Sequence, residues 1–516
     1  MSPFKLLIDT NIVIGLEDAK PVKSTLAELF RLSSEFNVDI FIDNANYDDV
    51  KRDKDADRRA ITLSKLGKFQ KLRQIPSPSD NDLNIRFGPT KKVNDTSDVR
   101  LLVALDAKAI DFLVTEDVGL HRRADFADLG GQVLTVEEAL EWLRHSFQEQ
   151  PVNLPYVTER KAYEIDKANP IFASLEIDYP GFSKWFDACR KKHRDCWVLE
   201  IAEQIAGIVI RKDETHAEAG TRHAGPKILK VCTFKVLDEY RGEKFGELLL
   251  KQILWFAQRN DYDLVYLTVF PKHGFLINLL NYYGFHETRR RDNSEVFLEK
   301  VISKGPLPPI NGNPLKIICQ SYPRFHDGAE IRKFCVPIKP SYHRNLFPEI
   351  AFAAELPLFP HKQFSAMQNL ESSSDRTPGN TIRKVYICRS KIKRLRLGDL
   401  LFFYMSKDQN YAASQTITTI GVVESVVEAT KTDDLMRLTA KRSVFSGEEI
   451  KEMAPTKNSP VKVIDFLLIG HVEPFVNLKT LLEQKVFNQR PPQSISGLTS
   501  DTYSALRPHI KLGFKL

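Results

Sequence analysis

The stretch VCTFKVLDEYRGEKFGELLLKQILWFA (231–257) closes an alternating, β-branched run at Val236, turns through Gly242 and Gly246, and continues as a helix over 245–259. A helix N-terminus presents unpaired N–H groups and the positive end of the helix dipole. Two glycines let that backbone come close to an anion, and a diphosphate is the natural ligand. The turn is not a P-loop, because no Gly-Lys-Ser/Thr follows, and it lacks the G-x-G-x-x-G spacing of a dinucleotide fingerprint. Taken alone, R-G-x-x-x-G is equally an ordinary glycine-containing helix entry.

The surroundings of the turn give it context. Upstream, helical segments are expected at 158–168 and 181–193, then strands CWVLEIA, QIAGIVIR and ILKVCTFKV. Downstream come strand DLVYLTVF, a helix at 274–283 and strand EVFLEKVI. This order predicts a mixed sheet with helices. With V-x-x-x-Y before the turn and helix FLINLLNYYGF after the next strand, residues 156–302 resemble the GNAT acetyltransferase superfamily. The resemblance implies acetyl-CoA as cofactor, held through Val236, Arg241, Gly242, Glu243, Lys244, Phe245 and Gly246, and transfer of its acetyl group to an amine. Members often carry a Tyr four residues before the final G-F, where it protonates the departing thiolate. Here that position is Leu280, before Gly284-Phe285, and His273 stands where many members have Asn. Tyr282 is the substitute catalytic acid; equally, Tyr282 and Tyr283 read as core aromatics on different faces of the helix. No general base stands out, and a water chain can serve.

Residues 1–148 alternate short strands (FKLLI, VDIFI, DFLVT, QVLTV) with helices, 97–108 and 137–147 among them. Alternation predicts a parallel sheet with helices on both faces, and ligands of such sheets lie at the carboxyl ends of strands. Asp9 ends LLIDTN, Asp49 follows DIFI, Asp98 opens the helix NDTSDVRLLVAL, and Asp117 closes DFLVTED. Four carboxylates in one crevice repel one another. A divalent cation relieves this, oxygen ligands favour Mg²⁺ or Mn²⁺, and such ions activate water in phosphodiester cleavage. The order D-T-N, an acid after the second strand, an Asp opening a later helix, and L-V-T-x-D resembles PIN-domain ribonucleases over residues 4–140. The resemblance implies Asp9, Asp49, Asp98 and Asp117 as catalytic metal ligands, with Asp95 and Glu116 as auxiliaries. One departure is the second acid, usually Glu, which here is Asp49 with Asp48 beside it. Individually, each Asp also reads as a turn former or helix cap, Asp95 and Asp98 especially.

A polar linker, QEQPVNLP (148–155), and a Pro/Gly-rich one, KGPLPPINGNP (304–314), mark boundaries. Beyond the second, strands are expected near 315–320, 383–388, 399–405, 415–427 and 461–470, helices at 432–440, 478–483 and 500–506, and a mobile polar loop at 366–381. The run RKVYICRSKIKRLRLGDLLFFYMS places Arg383, Lys384, Arg389, Lys391, Lys393, Arg394 and Arg396 beside aromatics, where cations can hold phosphates while bases stack. Phe402 and Tyr404 share one strand face and Phe403 takes the other; they read equally as core beside a solvated basic edge. G-D-x-x-x-F-Y, I-x-x-I-G-V-V and PPQSISGLTSDTYSAL (491–506) resemble the PUA-like superfamily, EVE-type domains in particular. That implies a small β-barrel binding RNA or a modified base over 315–516.

The expected architecture is therefore multidomain α/β and α+β: a PIN-like parallel sheet at 1–148, a GNAT mixed sheet at 156–302 and a PUA-like β-barrel at 315–516. At roughly 100–200 residues per domain, a chain of 516 residues suits this division. No apolar run approaches a membrane span of about 20 residues. MSPFKLLIDTNIVIG makes a poor signal peptide, its apolar run broken by Asp9 and Asn11. Six cysteines (Cys189, Cys196, Cys232, Cys319, Cys335, Cys388) without CxxC or zinc spacing read as reduced thiols, so a cytoplasmic protein is expected. A net charge of +7 is too modest to prove nucleic-acid binding by itself. The combined expectation is an acetyl-CoA-dependent N-acetyltransferase fused to an endoribonuclease and an RNA-binding domain. It would act on RNA, with aminoacyl-tRNA as an acceptor that offers an amine on an RNA, in a toxin–antitoxin or defence setting that rests on family analogy. Two alternatives stay open: a protein N-acetyltransferase with inert docking modules, and a non-enzymatic RNA-binding regulator that senses acetyl-CoA.

Overall fold

The computed structural model describes residues 4–15, 24–73, 75–90, 93–147, 156–201, 204–240, 242, 244–305, 307, 309–310, 313–350, 381–407, 414–442 and 445–513. Three sheets follow one another along the chain. The first holds β1 (Lys5–Ile8), β2 (Asp39–Ile42), β3 (Gln70–Lys71), β4 (Phe112–Val114) and β5 (Val133–Leu134) in the order β3-β2-β1-β4-β5. Every pairing in it is parallel. Alternation along a strand supplies both faces. Leu6 and Ile8 belong with Trp142 to one apolar cluster, while Leu7 packs with Leu102 and Leu113 in another. The helices Val136–Phe147 and Val93–Asp106 bring the covering residues.

The second sheet holds β6 (Tyr156–Lys161), β7 (Asp195–Ile201), β8 (Gln204–Glu214), β9 (Ile228–Val236), β10 (Leu264–Val269), β11 (His286–Arg290) and β12 (Val296–Val301), in the order β11-β12-β10-β9-β8-β7-β6. Only β9 and β10 pair in parallel, joined by the helix Phe245–Arg259. The helix expected at 158–168 is instead β6 followed by a 3-10 turn, Ala162–Glu164. Its charges decide this: as an edge strand it sets Arg160 against Glu200 (2.8 Å) and Lys161 against Asp195 (2.5 Å) of β7. Charged edge strands are also a common guard against unwanted pairing.

The third sheet contains β13 (Lys333–Ile338), β14 (Arg383–Cys388), β15 (Leu400–Met405), β16 (Thr416–Ala429), β17 (Val461–Asn477) and β18 (Ser496–Leu498), ordered β14-β17-β16-β15-β13-β18. The expected barrel is not formed among the described residues: β14 pairs with β17 alone and β18 with β13 alone, so the sheet stays open. The long antiparallel β16–β17 pair carries three register shifts, which twist it. That twist does not bring β14 and β18 together. Residues 315–320, expected as a strand, lie in the helix Pro314–Ser321, because Asn313 accepts from Leu315 N (2.9 Å) and Pro314 occupies the first helical position. The loop expected at 366–381 falls, but for Thr381, outside the described residues.

Candidate functional site

β9, the Phe245–Arg259 helix and β10 form a βαβ unit, and its ligand end is where β9 hands over to the helix. The two strands pair only at Leu264–Ile228, Val265–Leu229 and Tyr266–Lys230. From there β9 continues to Val236 on β8, and β10 continues to Val269 on β12. They diverge, leaving a gap whose backbone amides face no strand partner across it. At the mouth of the gap lies the turn. Gly242 has φ +89°, a conformation that favours glycine. Lys244, with φ +62°, is the N-cap and makes no side-chain cap. The amides of the helix's first turn are thus not taken by a capping side chain, which suits an anionic ligand. A Cβ on Gly246 would make only ordinary contacts, with Leu279 Cδ2 at 3.6 Å and Phe234 Cε1 at 3.9 Å. Val236 and Phe245 flank the turn, while Arg241 and Glu243 lie outside the described residues.

Leu280 is 1% exposed, packed in the core on the helix Gly274–Tyr282. It holds no proton to give. Tyr282 donates from its hydroxyl to Glu424 Oε1 (2.9 Å) of β16 and lies under the Arg383 guanidinium, 5.4 Å from its ring centroid. Burial, above all, pushes this phenol far above its ordinary range. Tyr282 therefore joins the second sheet to the third. Tyr283 is fully buried against Tyr322, with ring centroids 5.5 Å apart. His273 faces Asp178 at 3.4 Å.

The charges of the four aspartates of the first unit act on one another: Asp49 and Asp117 on Asp9, and all three on Asp98. Asp9 is buried and accepts from Thr10 N (2.6 Å), Asn11 Nδ2 (2.8 Å) and Thr115 Oγ1 (2.6 Å). Burial, and then the charges of Asp49 and Asp117, hold it up at about 6 against the lowering effect of the bonds from Thr115 and Thr10. Asp98, on the helix Val93–Asp106, is pushed up to about 7 by burial and by the charges of Asp9, Asp117 and Asp49. This mutual repulsion is what a cation would relieve. Asp49 fits less well: it accepts from Thr10 Oγ1 (3.1 Å) and is paired with Arg52, which also donates to Ser97 Oγ (2.8 Å). Asp117 caps the helix Val118–Phe126 through Leu120 N (2.9 Å). Among the described residues no three His, Cys, Asp or Glu side chains form a group ready to hold a metal ion. Of the auxiliaries, Asp95 pairs with Arg123 (3.1 Å) and Glu116 accepts from Val136 N (2.9 Å).

In the third unit Phe402, Phe403 and Tyr404 are all buried. Phe402 meets Tyr503 and Tyr404 meets Phe487, while Phe403 packs on Phe347 and Phe466 across the other face. They are core. Lys384 is buried too, and Arg383 is half-buried in an ion pair with Glu424. Arg389 donates to Ser459 O (3.2 Å), and Lys391, Lys393, Arg394 and Arg396 remain exposed.

Glu138 and Lys441 are the residues that sequence reasoning missed. Glu138 lies in the helix Val136–Phe147 of the first unit and is paired with Lys244 at the turn and with Lys441 Nζ (3.5 Å) of the third unit. Burial would raise its pKa, but the two ammonium groups hold it well below the usual carboxylate range. Locally Glu138 also closes a capping box with Thr135, accepting from Thr135 N (3.1 Å).

Comparisons with known proteins bear on the second unit most directly. Among curated proteins none matches the chain. A mutant ASCH protein from Zymomonas mobilis matches 35% of this chain over 96% of its own, with 13% identity and a TM-score of 0.24. Ard1 from Thermoplasma volcanium matches 29% over 99% of its own length, at 16% identity and TM-score 0.24. A GNAT family acetyltransferase from Elizabethkingia anophelis, solved with acetyl-CoA bound, matches 28% over 96% of its own, at 14% identity and TM-score 0.21. The model of the Acetyltransferase (GNAT) family matches residues 159–285, so this segment is a GNAT acetyltransferase domain set within a longer chain.

Proposed function

We propose that this chain is an acetyl-CoA-dependent N-acetyltransferase. The observation that carries the reading is the parting of β9 from β10 with the glycine turn at its mouth. Acetyl-CoA supplies the activated acyl group when bound. The turn amides around Gly242, Lys244 and Gly246 would hold its diphosphate, and the free backbone of β9 would align the rest of the molecule. An acceptor amine then attacks the thioester carbonyl; its C–N bond forms, the C–S bond breaks, and the amine's proton leaves through water to the thiolate. Leu280 offers no acid at its position, so holding the amine beside the thioester is the contribution this chain's residues would make. Thiol release from acetyl-CoA, measured with lysine peptides and with aminoacyl-tRNA as acceptors, tests the reading. Transfer is expected to one of them and to be lost in Gly246→Asp, which sets a carboxylate against the diphosphate. Neither binding nor turnover of acetyl-CoA would sink it.

A second activity is favoured by the crowding of Asp9 and Asp98 with Asp49 and Asp117. On this reading the first unit is a PIN-type endoribonuclease in which Asp9 and Asp98 bind Mg²⁺ or Mn²⁺. Such an ion would activate the attacking water. Asp49 joins them only after releasing Arg52. The exposed cations of the 389–396 segment would bring RNA to the chain, in a toxin- or defence-type role. RNA cleavage that needs Mn²⁺ and disappears in Asp9→Asn and in Asp98→Asn is the expected result. Cleavage unaffected by both changes would remove this activity from the chain.

A further inference from the structure

The turn that would hold the diphosphate is already an interaction surface. A Cβ built on Gly242 would lie 2.8 Å from the carbonyl carbon of Glu137, 2.9 Å from its oxygen and 3.0 Å from Glu138 N. The first turn of the Val136–Phe147 helix therefore rests on the glycine itself. Two helix N-termini, those of Val136–Phe147 and Phe245–Arg259, converge here with two lysines, Lys244 and Lys441. All four sources of positive potential meet around one largely covered carboxylate, Glu138. Lys441 also donates to Gly130 O (2.8 Å) and Val133 O (2.7 Å), fastening the third unit to the first at the same place. Separately, Arg122 Nε donates to Asn278 Oδ1 (2.7 Å), and Gly274 approaches Val118, closing the first unit onto the helix that follows β10.

We propose that the first unit clamps the coenzyme turn through Glu138, and that acetyl-CoA binds by displacing the Val136–Phe147 helix from Gly242 and Lys244. The proposal rests on the reading of this turn as the diphosphate site. A diphosphate and the Glu137–Glu138 backbone cannot both contact Gly242, and the diphosphate and the Glu138 carboxylate compete for the same ammonium group of Lys244. Coenzyme occupancy and docking of the nuclease-like unit are then opposed states of one chain. Linkage requires that whatever undocks that unit tightens coenzyme binding by the same factor.

The test is calorimetric titration of the full chain with acetyl-CoA, for the native protein and for Glu138→Gln, beside amide hydrogen exchange over 136–147 in the native protein. Glu138→Gln keeps the shape and removes the charge that holds both lysines. The expected result is binding tighter by about tenfold in Glu138→Gln, the clamp's share of closed molecules having been removed. In the native protein, saturating acetyl-CoA is expected to speed exchange in 136–147. Equal affinities together with unchanged exchange overturn the clamp while leaving the coenzyme site standing. Absence of binding by either protein overturns the coenzyme site and the clamp with it. Should Glu138→Gln fail to fold, the exchange measurement on the native chain decides alone.

Discussion

Two buried imidazoles show what single residues contribute. His343 Nε2 lies 2.7 Å from Thr418 Oγ1, and Thr419 Oγ1 lies 3.1 Å from His471 Nδ1, at the heart of the third sheet. Burial first, and then neighbouring cations, push both from the ordinary 6.5 down to about 3. The folded pKa is depressed, so between pH 6.5 and 3 the unfolded chain binds the extra protons. The neutral rings' contribution is intact above 6.5 and fades as pH falls toward 3. Each should remove about 1.4 kcal/mol per pH unit below 6.5. Asp9 and Asp98, held up at about 6 and about 7, take up protons on the folded side over the same range and offset this slope in the native protein. The check is therefore the difference between two proteins: urea midpoints at pH 7 and pH 5 should differ in slope by one proton between the native chain and His343→Asn. Equal slopes would contradict it. Neither histidine could be singled out from the sequence, because nothing local to His343 or His471 signals its burial. Asp9 and Asp117 were legible for the opposite reason: each follows a short apolar strand, and parallel strands end on the same edge of a sheet. Glu138 was not, since its partner Lys244 is 106 residues away.

At the scale of elements, legibility tracked the strength of the local period. The Phe245–Arg259 helix stands where its apolar spacing puts it. Yet that helix is buried nearly all round, and its polar side also finds partners: Glu247 accepts from Arg383 N (2.6 Å) and Lys251 is paired with Glu349. YVTERK and PLKIICQS misled because each is short and its fate was decided elsewhere, by the partner acids on β7 and by the Asn313 cap. The barrel was misjudged because closure depends on how far a sheet coils, a property no single strand carries. The turn offers a direct comparison of two glycines. Gly242→Ala places a methyl 2.8 Å from the Glu137 carbonyl carbon at φ +89°, so it should destabilise by about 1–3 kcal/mol. Gly246→Ala meets only contacts at 3.6 and 3.9 Å within a helix, and it should be neutral or stabilise by up to about 1 kcal/mol. Thermal midpoints of the two variants measure the difference. Equal losses would contradict both the positive φ at Gly242 and its contact with Glu137.

Across the whole molecule, three sheets share one contiguous apolar core that includes Phe4 and Trp142, Trp197 and Leu254, Phe334 and Phe466. Its joints combine packing with buried polar bonds. Trp255 Nε1 donates to Tyr322 OH (2.9 Å), which donates to Leu468 O (2.8 Å), tying the second sheet to the third. Gly447 lets the third unit approach so near that a Cβ there would lie 2.2 Å from Ser146 O of the first. Units joined only by linkers would unfold one by one, each at its own temperature. Units that share a core should lose stability together, because exposing one unit uncovers apolar surface on the next. Trp142→Ala discriminates between these cases. The indole is 1% exposed, with Phe112 at 4.6 Å and Phe4 at 5.3 Å, so truncation should cost about 3–5 kcal/mol. Scanning calorimetry is expected to show a single transition that moves down as a whole, with helix loss and exposure of Trp255 falling on the same curve. If a lower transition splits off while Trp255 stays protected, the first unit opens independently.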